Sequence, residues 1–258
     1  MADKSQIEWT DATWNPTTGC TKISKGCDRC YAERFSERFR GTPGHPYEQG
    51  FDLRLWPARL SLPRIWKRPR QIFVNSMSDL FHKDIPVEFT ERVFRTMEEA
   101  DWHIYQVLTK RSSLLRDFIN RRYSDKPAPN HIWLGVSVED AQALTRIEHL
   151  RQANASIRFL SLEPLLGGLG SLCLDRIDWV IVGGESGPGF REMKIEWVRE
   201  IRDQCVELGI QFFFKQWGGI RAKAGGNVVD GSTWQQYPSS IRPKNENSDA
   251  QNTVALVA

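Results

Sequence analysis

The sequence lacks any apolar run of the roughly 18 to 20 residues that a membrane-spanning helix needs. Its opening residues, MADKSQIEW, are polar and do not resemble a secretion signal. We therefore expect a cytoplasmic protein with no membrane partner. The sequence also lacks a strong charge imbalance, because 35 lysines and arginines stand against 32 acidic residues. The resulting net charge of +3 does not by itself indicate nucleic-acid binding.

Cysteine is scarce, with five residues in a chain of 258, and the number is odd. Three of the five fall between positions 20 and 30, and in a cytoplasmic protein such crowding indicates a metal site rather than a disulfide framework. A hydrophobic share of 40% excludes a chain that is mostly disordered. We predict one folded domain over residues 1–238, with an insertion at 41–70 rich in Pro and Arg, and a disordered tail at 239–258.

From Gln71 onward, short apolar runs alternate with segments of helical period, which is typical of βα units around a parallel sheet. Amphipathic helices are predicted over 87–100 and 194–208, with others near 114–119, 144–150 and 31–39. The predicted strands are 7–10, 72–75, 104–108, 132–136, 158–162, 179–182 and 211–214. Six or seven such units make either a doubly wound open sheet or a complete or partial barrel, and spacing alone does not choose between them.

Polar residues follow the predicted strands. Because the carboxyl ends of parallel strands share one face, we expect these side chains to line a single pocket, with Lys110 and Lys215 pairing with its acids. The simpler alternative is that the Ser and Asp residues cap the helices that follow. The candidate binding residues are Asn75, Ser76, Asp79, Lys110, Ser137, Glu139, Glu163, Gly183, Gly184, Glu185 and Lys215.

The sharpest motif is C-x6-C-x2-C, formed by Cys20, Cys27 and Cys30 in the stretch GCTKISKGCDRCYAE. Three thiolates without an evident fourth fit an iron–sulfur cluster with one open iron. A closed zinc site needs a fourth ligand, for which His45 is the nearest candidate. Cys205 lies on the apolar stripe of its predicted helix and is expected in the core.

A basic segment lies within the insertion. Its mixture of cations and tryptophans suits phosphate contacts and base stacking. We favour the simpler interpretation, a solvated arm whose tryptophans cover the barrel. The candidate nucleic-acid residues are Arg54, Trp56, Arg59, Arg64, Trp66, Lys67, Arg68 and Arg70.

Three cysteines after the first strand of a βα chain resemble the radical S-adenosylmethionine superfamily. More closely, the chain resembles the phage-associated family of three-cysteine-motif proteins, which is distantly similar to spore photoproduct lyase. The resemblance extends over about residues 7–238. It rests on the stretches WNPTTGCTKISKGCDRCYAE, FVNSMSDLFH, LTKR, GVSVED, FLSLEPLL, GGESG and FKQWGG.

The resemblance implies a partial TIM-like barrel in which Cys20, Cys27 and Cys30 hold a [4Fe-4S] cluster whose open iron binds S-adenosylmethionine. A flavodoxin or ferredoxin would reduce the cluster, and the cofactor would then yield a 5′-deoxyadenosyl radical. By position, Asn75–Asp79 would meet the cofactor's amino group, Ser137 and Glu139 its ribose and carboxylate, and 183–185 its adenosine. The implied substrate is unidentified, with DNA or RNA as a candidate and a partner protein as a further contributor to the site.

The sequence departs from the superfamily motif in two places. Six residues instead of three separate Cys20 from Cys27, and Tyr31 follows the third cysteine where the superfamily has an aromatic before it. Gly19 and Gly26 are expected to give the longer loop the freedom to bring Cys20 inward. The alternative function is a zinc-stabilised nucleic-acid-binding module without catalysis.

Overall fold

The computed structural model describes residues 5–221 and 223–238. The predicted tail, 239–258, lies outside the described residues. Seven parallel strands make one sheet that curls into a half-barrel, and they follow one another in the sheet in chain order. This order confirms the predicted partial barrel and excludes a doubly wound sheet, whose strand order reverses. The strands are β1 (Ala12–Trp14), β2 (Gln71–Val74), β3 (Ile104–Thr109), β4 (Ala128–Ser137), β5 (Ala155–Leu162), β6 (Trp179–Gly183) and β7 (Gln211–Gln216).

Among the described residues, five helices of seven or more residues accompany the strands. Helix α2 shows why they pack on the sheet, since Phe89, Val93, Phe94 and Met97 recur at helical spacing and are all buried. The helices are α1 (Tyr31–Glu37), α2 (Val87–Glu99), α3 (Ser112–Arg122), α4 (Thr145–Gln152) and α5 (Ile195–Glu207). Among the described residues, no helix has the length and apolar character that a membrane crossing requires.

Side chains alternate between the two faces of the sheet along most of its strands. In β2, Ile72 and Val74 join the larger core that includes the helices, while Phe73 joins a second, smaller cluster. We call this smaller set the concave cluster, because it fills the inside of the half-barrel. Its buried members are Trp9, Phe73, Ile104, Trp133, Ile157, Phe159, Trp179, Ile181 and Phe213. The interior is therefore a packed aromatic layer that supports whatever lies at the carboxyl ends of the strands.

The first strand begins at Ala12, so the prediction of a strand at 7–10 was wrong. That segment forms a turn in which Thr10 N donates to Ile7 O at 3.3 Å. Trp9 is buried against Phe73, with ring centroids 4.7 Å apart. The apolar spacing of this segment therefore reflects burial inside the half-barrel, whereas strand pairing with β2 starts at Ala12.

The insertion at 41–70 packs on the barrel. Its short strand Arg54–Leu55 pairs antiparallel with Thr17–Thr18, directly after β1. A one-turn helix, Leu62–Ile65, follows and contacts α2. The insertion thereby borders the loop that carries the three clustered cysteines.

Candidate functional site

The carboxyl ends of the strands open into one cavity of about 540 Å³. Cys20, Cys27 and Cys30 all line it, and so do Trp9 and Phe73 of the concave cluster. Its volume lies within the roughly 300 to 1,000 Å³ that is usual for small-molecule sites. The half-barrel therefore places three cysteine thiols and an apolar surface around a space of the size that small-molecule sites have.

The cysteine loop is fixed by contacts with neighbouring loops. Cys20 N donates to Phe51 O at 3.2 Å, and Cys30 N donates to Cys27 O at 3.3 Å, directly before α1. At Gly26, an added Cβ would lie 2.4 Å from Cγ of Glu139. This glycine therefore permits close packing on Glu139, which is a different role from the loop freedom that the sequence suggested.

Arg111 and Asp79 form a nearly buried ion pair beside Cys20. Arg111 Nη1 lies 3.4 Å from Cys20 Sγ and 2.9 Å from Asp79 Oδ2. Asp79 also accepts from Thr109 Oγ1 at 2.6 Å and from the backbone N of Phe81 and Lys110. Burial raises the pKa of the Cys20 thiol, as does the Asp79 carboxylate, while Arg111 acts in the opposite direction.

Glu139 lies under the cysteine loop and is 1% exposed. Its Oε1 accepts from Ser24 Oγ at 2.9 Å and lies 3.1 Å from Lys110 Nζ, while Oε2 accepts from Arg146 Nη1 at 2.9 Å. Burial alone would raise the pKa of Glu139, but Lys110 and Arg146 hold it below its ordinary value. Glu139 is not among the residues that line the cavity, so its charge anchors the loop through Ser24.

Glu185 joins the cysteine loop to the segment that precedes α5. It accepts from Arg29 Nη1 at 3.1 Å, and from Arg191 through the backbone N at 2.9 Å, Nε at 3.0 Å and Nη2 at 2.5 Å. Arg29 lies between Cys27 and Cys30 in the sequence. Although burial opposes ionisation, these donors hold the pKa of Glu185 below its ordinary value. Glu185 lines the cavity with its hydrogen-bonding capacity largely used by protein donors.

Glu163, directly after β5, and Lys215, within β7, form a further ion pair of the cavity. Both line the cavity, and no other partner is found for either side chain within residues 5–221 and 223–238. Their remaining hydrogen-bonding capacity is thus free for a ligand. Gly184 also lines the cavity. It packs closely against the backbone of Trp217, because an added Cβ would lie 1.9 Å from Trp217 O.

The loop after β2 is tied to the residues after β1. Asn75 Nδ2 donates to Thr17 Oγ1 at 2.9 Å, and Ser76 Oγ donates to Asn15 Oδ1 at 3.3 Å. The Tyr31 hydroxyl of α1 donates to Ser76 O. The loop that the resemblance assigns to cofactor binding is therefore held against both the segment after β1 and the first residue of α1.

The structure brings most of the predicted binding residues to this one cavity. Glu139 and Gly183 are the exceptions. Predicted residues that line it are Asn75, Ser76, Asp79, Lys110, Ser137, Glu163, Gly184, Glu185 and Lys215. Lys110 and Lys215 pair with acids as expected, with Glu139 and Glu163 respectively.

Several site residues escaped the sequence reasoning. Lining residues that were not predicted include Arg29, Tyr31, Arg111, Ser161 and Lys223. Arg111 directly follows Lys110 in the LTKR stretch at the end of β3, and Arg29 lies inside the C-x2-C motif. These positions, at a strand end for Arg111 and within the cysteine motif for Arg29, were the sequence signals that could have identified the two residues.

The zinc site that the sequence offered as the alternative is not assembled among the described residues. Within the part of the chain that the structure describes, no group of three or more His, Cys, Asp or Glu side chains is placed to hold a single metal ion. His45 stacks on Phe39 with centroids 3.9 Å apart, and its Nδ1 accepts from the backbone N of Tyr47. A cluster differs from a single ion because each cysteine binds a separate iron, so its sulfur ligands stand farther apart.

In the basic arm, the two tryptophans are contacted by arginines of the same arm. Arg54 and Arg59 both contact the ring of Trp56, with guanidinium carbons 4.0 and 3.9 Å from the ring centroid. Arg70 lies 4.9 Å from the ring of Trp66. Arg64 pairs with Glu99 on α2. Lys67 and Arg68 are exposed. The arrangement agrees with an arm that covers the barrel, since Trp56 and Trp66 are contacted by arginines of the arm itself.

No curated protein matches this sequence. Among solved structures, the fold is similar to spore photoproduct lyase complexed with dinucleoside spore photoproduct. Sequence identity is 11% and the TM-score is 0.47, over 78% of this chain and 62% of that chain. A double mutant of spore photoproduct lyase with bound AdoMet and the same dinucleoside is also similar, at 10% identity and a TM-score of 0.43, over 74% of this chain and 60% of that chain.

This chain thus spans less than two thirds of the length of either lyase. A family model matches residues 4–238, which include every described strand and helix. The chain therefore belongs to the family described as "Protein of unknown function (DUF5131)".

Proposed function

We propose that the protein is a radical S-adenosylmethionine-type enzyme in which Cys20, Cys27 and Cys30 bind a [4Fe-4S] cluster. One observation carries the proposal: all three cysteines line the cavity at the carboxyl ends of the strands. Active sites of parallel α/β barrels lie at this end of the strands. The sequence resemblance to three-cysteine-motif proteins supports the same assignment.

The donor set suits a cluster better than a closed metal site. Three cysteines leave one iron of a [4Fe-4S] cluster without a protein ligand, and the cavity gives that position space for a small molecule. When bound and reduced, the cluster would cleave S-adenosylmethionine to methionine and a 5′-deoxyadenosyl radical, which removes a hydrogen atom from a substrate.

The chain's own residues would bind and orient the cofactor. Glu163 and Lys215 offer an acceptor and a donor with free capacity, and Ser137 and Ser161 add hydroxyl groups at the ends of β4 and β5. Trp9 presents apolar surface on the side of the concave cluster, which excludes water there. Asp79, Glu139 and Glu185 hold the surrounding loops in position.

Turnover of the cofactor tests this proposal. We expect anaerobically reconstituted protein, given dithionite and S-adenosylmethionine, to release 5′-deoxyadenosine that mass spectrometry detects. Cys205→Ala is the matched control, because Cys205 is fully buried in α5 away from the cavity. Product from the control but none from Cys27→Ala supports the proposal, whereas equal product from both variants, or none from the wild type, contradicts it.

A further inference from the structure

The guanidinium of Arg111 makes an unusual contact for an arginine, with a cysteine sulfur. Its Nη1 lies 3.4 Å from Cys20 Sγ, while Nη2 donates to Thr21 O at 3.1 Å and to Thr21 Oγ1 at 3.0 Å. The side chain is 8% exposed. Among the described residues, neither Cys27 nor Cys30 has a comparable charged donor on its sulfur. Arg111 therefore distinguishes one of the three cysteines from the others.

The protein holds this guanidinium in a fixed orientation. Asp79 accepts from Nη1 at 2.9 Å, and Thr109 Oγ1, itself a donor to Asp79, accepts from Arg111 N at 2.8 Å. Arg111 is thus fixed through both its backbone and its side chain. A donor that is already oriented loses little conformational entropy when it bonds to a sulfur ligand.

His82 holds Thr21, the residue after Cys20, through a second hydrogen bond. The backbone N–H of Asp84 donates to His82 Nδ1 at 3.2 Å, so the neutral ring carries its proton on Nε2. Nε2 lies 2.9 Å from Thr21 Oγ1 and donates to it. Thr21 Oγ1 therefore accepts from both His82 and Arg111, which fixes the residue after Cys20 from two directions. Arg111 is a built part of the cysteine loop and not a surface side chain that happens to touch it.

Asp79 offsets the charge of Arg111 but does not remove its hydrogen bond. The two side chains form a nearly neutral pair, and Asp79 accepts from three further donors besides Arg111. Hydrogen bonds to cysteine sulfurs and net local charge are two of the factors that set the reduction potential of an iron–sulfur cluster. An N–H donor on the sulfur withdraws electron density from it and favours the reduced state.

We propose that Arg111 is a positioning residue that raises the reduction potential of the cluster through its N–H···S bond to Cys20. This inference rests on the proposed function, since it concerns the same cluster. It also assigns opposite effects to the two members of the ion pair. Removing Arg111 lowers the potential, whereas removing the charge of Asp79 leaves the guanidinium uncompensated and raises it.

The test is a redox titration of the reconstituted cluster, in which electron paramagnetic resonance measures the reduced fraction at each potential. We expect Arg111→Gln to lower the midpoint potential and Asp79→Asn to raise it. If both substitutions act only by loosening the loop, they shift the potential in the same direction, which overturns the proposal. Arg111→Lys keeps the charge without the guanidinium fork, and its potential is expected between those of Arg111→Gln and the wild type.

Lys22→Gln is the matched control. It removes a positive charge two residues from Cys20, but Lys22 pairs with Glu33 and does not bond to the sulfur. An equal downward shift in Lys22→Gln and Arg111→Gln would overturn the proposal, because charge alone would then account for it. If Arg111→Gln does not retain the cluster, the Lys variant decides: a lowered potential supports the proposal and an unchanged one contradicts it. A wild type without iron and sulfide would instead defeat the proposed function itself.

Discussion

Carboxylates that line the cavity or lie beside it differ in how many hydrogen bonds they already accept. Asp79, Glu139 and Glu185 each accept several hydrogen bonds, mostly from arginines, lysines and backbone N–H groups. Among the described residues, Glu163 has one hydrogen-bonding and ion-pair partner, Lys215. Because a carboxylate has about four acceptor sites, the first three are nearly saturated. At the residue scale, most of these acids therefore hold the loops in position, whereas Glu163 and Lys215 keep free hydrogen-bonding capacity at the cavity surface.

The cysteines give the first prediction at this scale. Changing any of Cys20, Cys27 or Cys30 to Ala should reduce bound iron to background and remove the brown colour, because each sulfur is expected to bind a separate iron. Iron analysis and visible absorption measure this. Cys205→Ala and the exposed Cys173→Ala should retain full iron content. Loss of iron from the Cys205 variant, with its circular dichroism unchanged, would mean that the ligands are wrongly assigned.

Glu139 predicts how stability changes with pH. Its folded-state pKa lies below the ordinary value of 4.5, so the unfolded chain binds more protons in that range. Its contribution is therefore fully present above about pH 4.5 and is lost as pH falls through the folded pKa. Glu139→Gln should lower the free energy of unfolding by on the order of 3 kcal/mol at pH 7, because it leaves Lys110 and Arg146 without their partner.

Urea unfolding at pH 7 and at successively lower pH measures this contribution. The difference between wild type and Glu139→Gln should shrink below about pH 4.5, in the direction given by proton linkage. Exposed Glu207 on α5 supplies the control variant, Glu207→Gln, with little effect at either pH. A difference that stays constant into acid would show that the charge of Glu139 contributes nothing to stability.

At the element scale, the position of the cysteine loop depends on its close approach to Glu139. Gly26→Ala should displace the loop, since the new Cβ would lie 2.4 Å from the side chain below it. We expect iron loading to fall severalfold while the thermal midpoint changes little, because the loop lies outside the main core. Gly167→Ala is the matched control, as an added Cβ there meets its nearest atom at 4.0 Å. Equal iron loading in both variants would refute this role for Gly26.

The sequence allowed six of the seven strands to be placed, because each forms a short apolar run between helical segments. It misplaced β1, since Ile7 and Trp9 contact the concave cluster without pairing to β2. Because the carboxyl ends of parallel strands lie at one edge of a sheet, the sequence also predicted that the polar residues after the strands come together. Their ion-pair partners were not predictable, because Arg29 and Glu185 are separated by 156 positions and only the three-dimensional fold brings them together.

At the scale of the whole molecule, the segments that flank the two edge strands meet across the open side of the half-barrel. Glu8, before β1, pairs with Lys223, after β7, at 3.0 Å. The Tyr237 hydroxyl donates to Glu8 O at 3.2 Å. Beside this contact, Trp9 packs against Phe73, Phe159 and Trp179. Trp9 thus joins the N-terminal segment to three strands of the half-barrel.

Trp9→Ala should therefore destabilise the protein globally. We expect a loss of about 3–5 kcal/mol in the free energy of unfolding, as is usual when a buried tryptophan is truncated. Urea unfolding followed by circular dichroism measures it. Trp102→Ala, at a site 37% exposed, should cost far less. Equal losses in the two variants would show that the N-terminal segment does not support the half-barrel.

The central claim concerns what the three cysteines bind in the folded protein. Iron and acid-labile sulfide, measured per chain in wild-type protein reconstituted and purified without oxygen, test it most directly. We predict about four irons and four sulfides per chain, the content of one [4Fe-4S] cluster. About one zinc per chain without sulfide, or no bound metal in correctly folded protein, would contradict it.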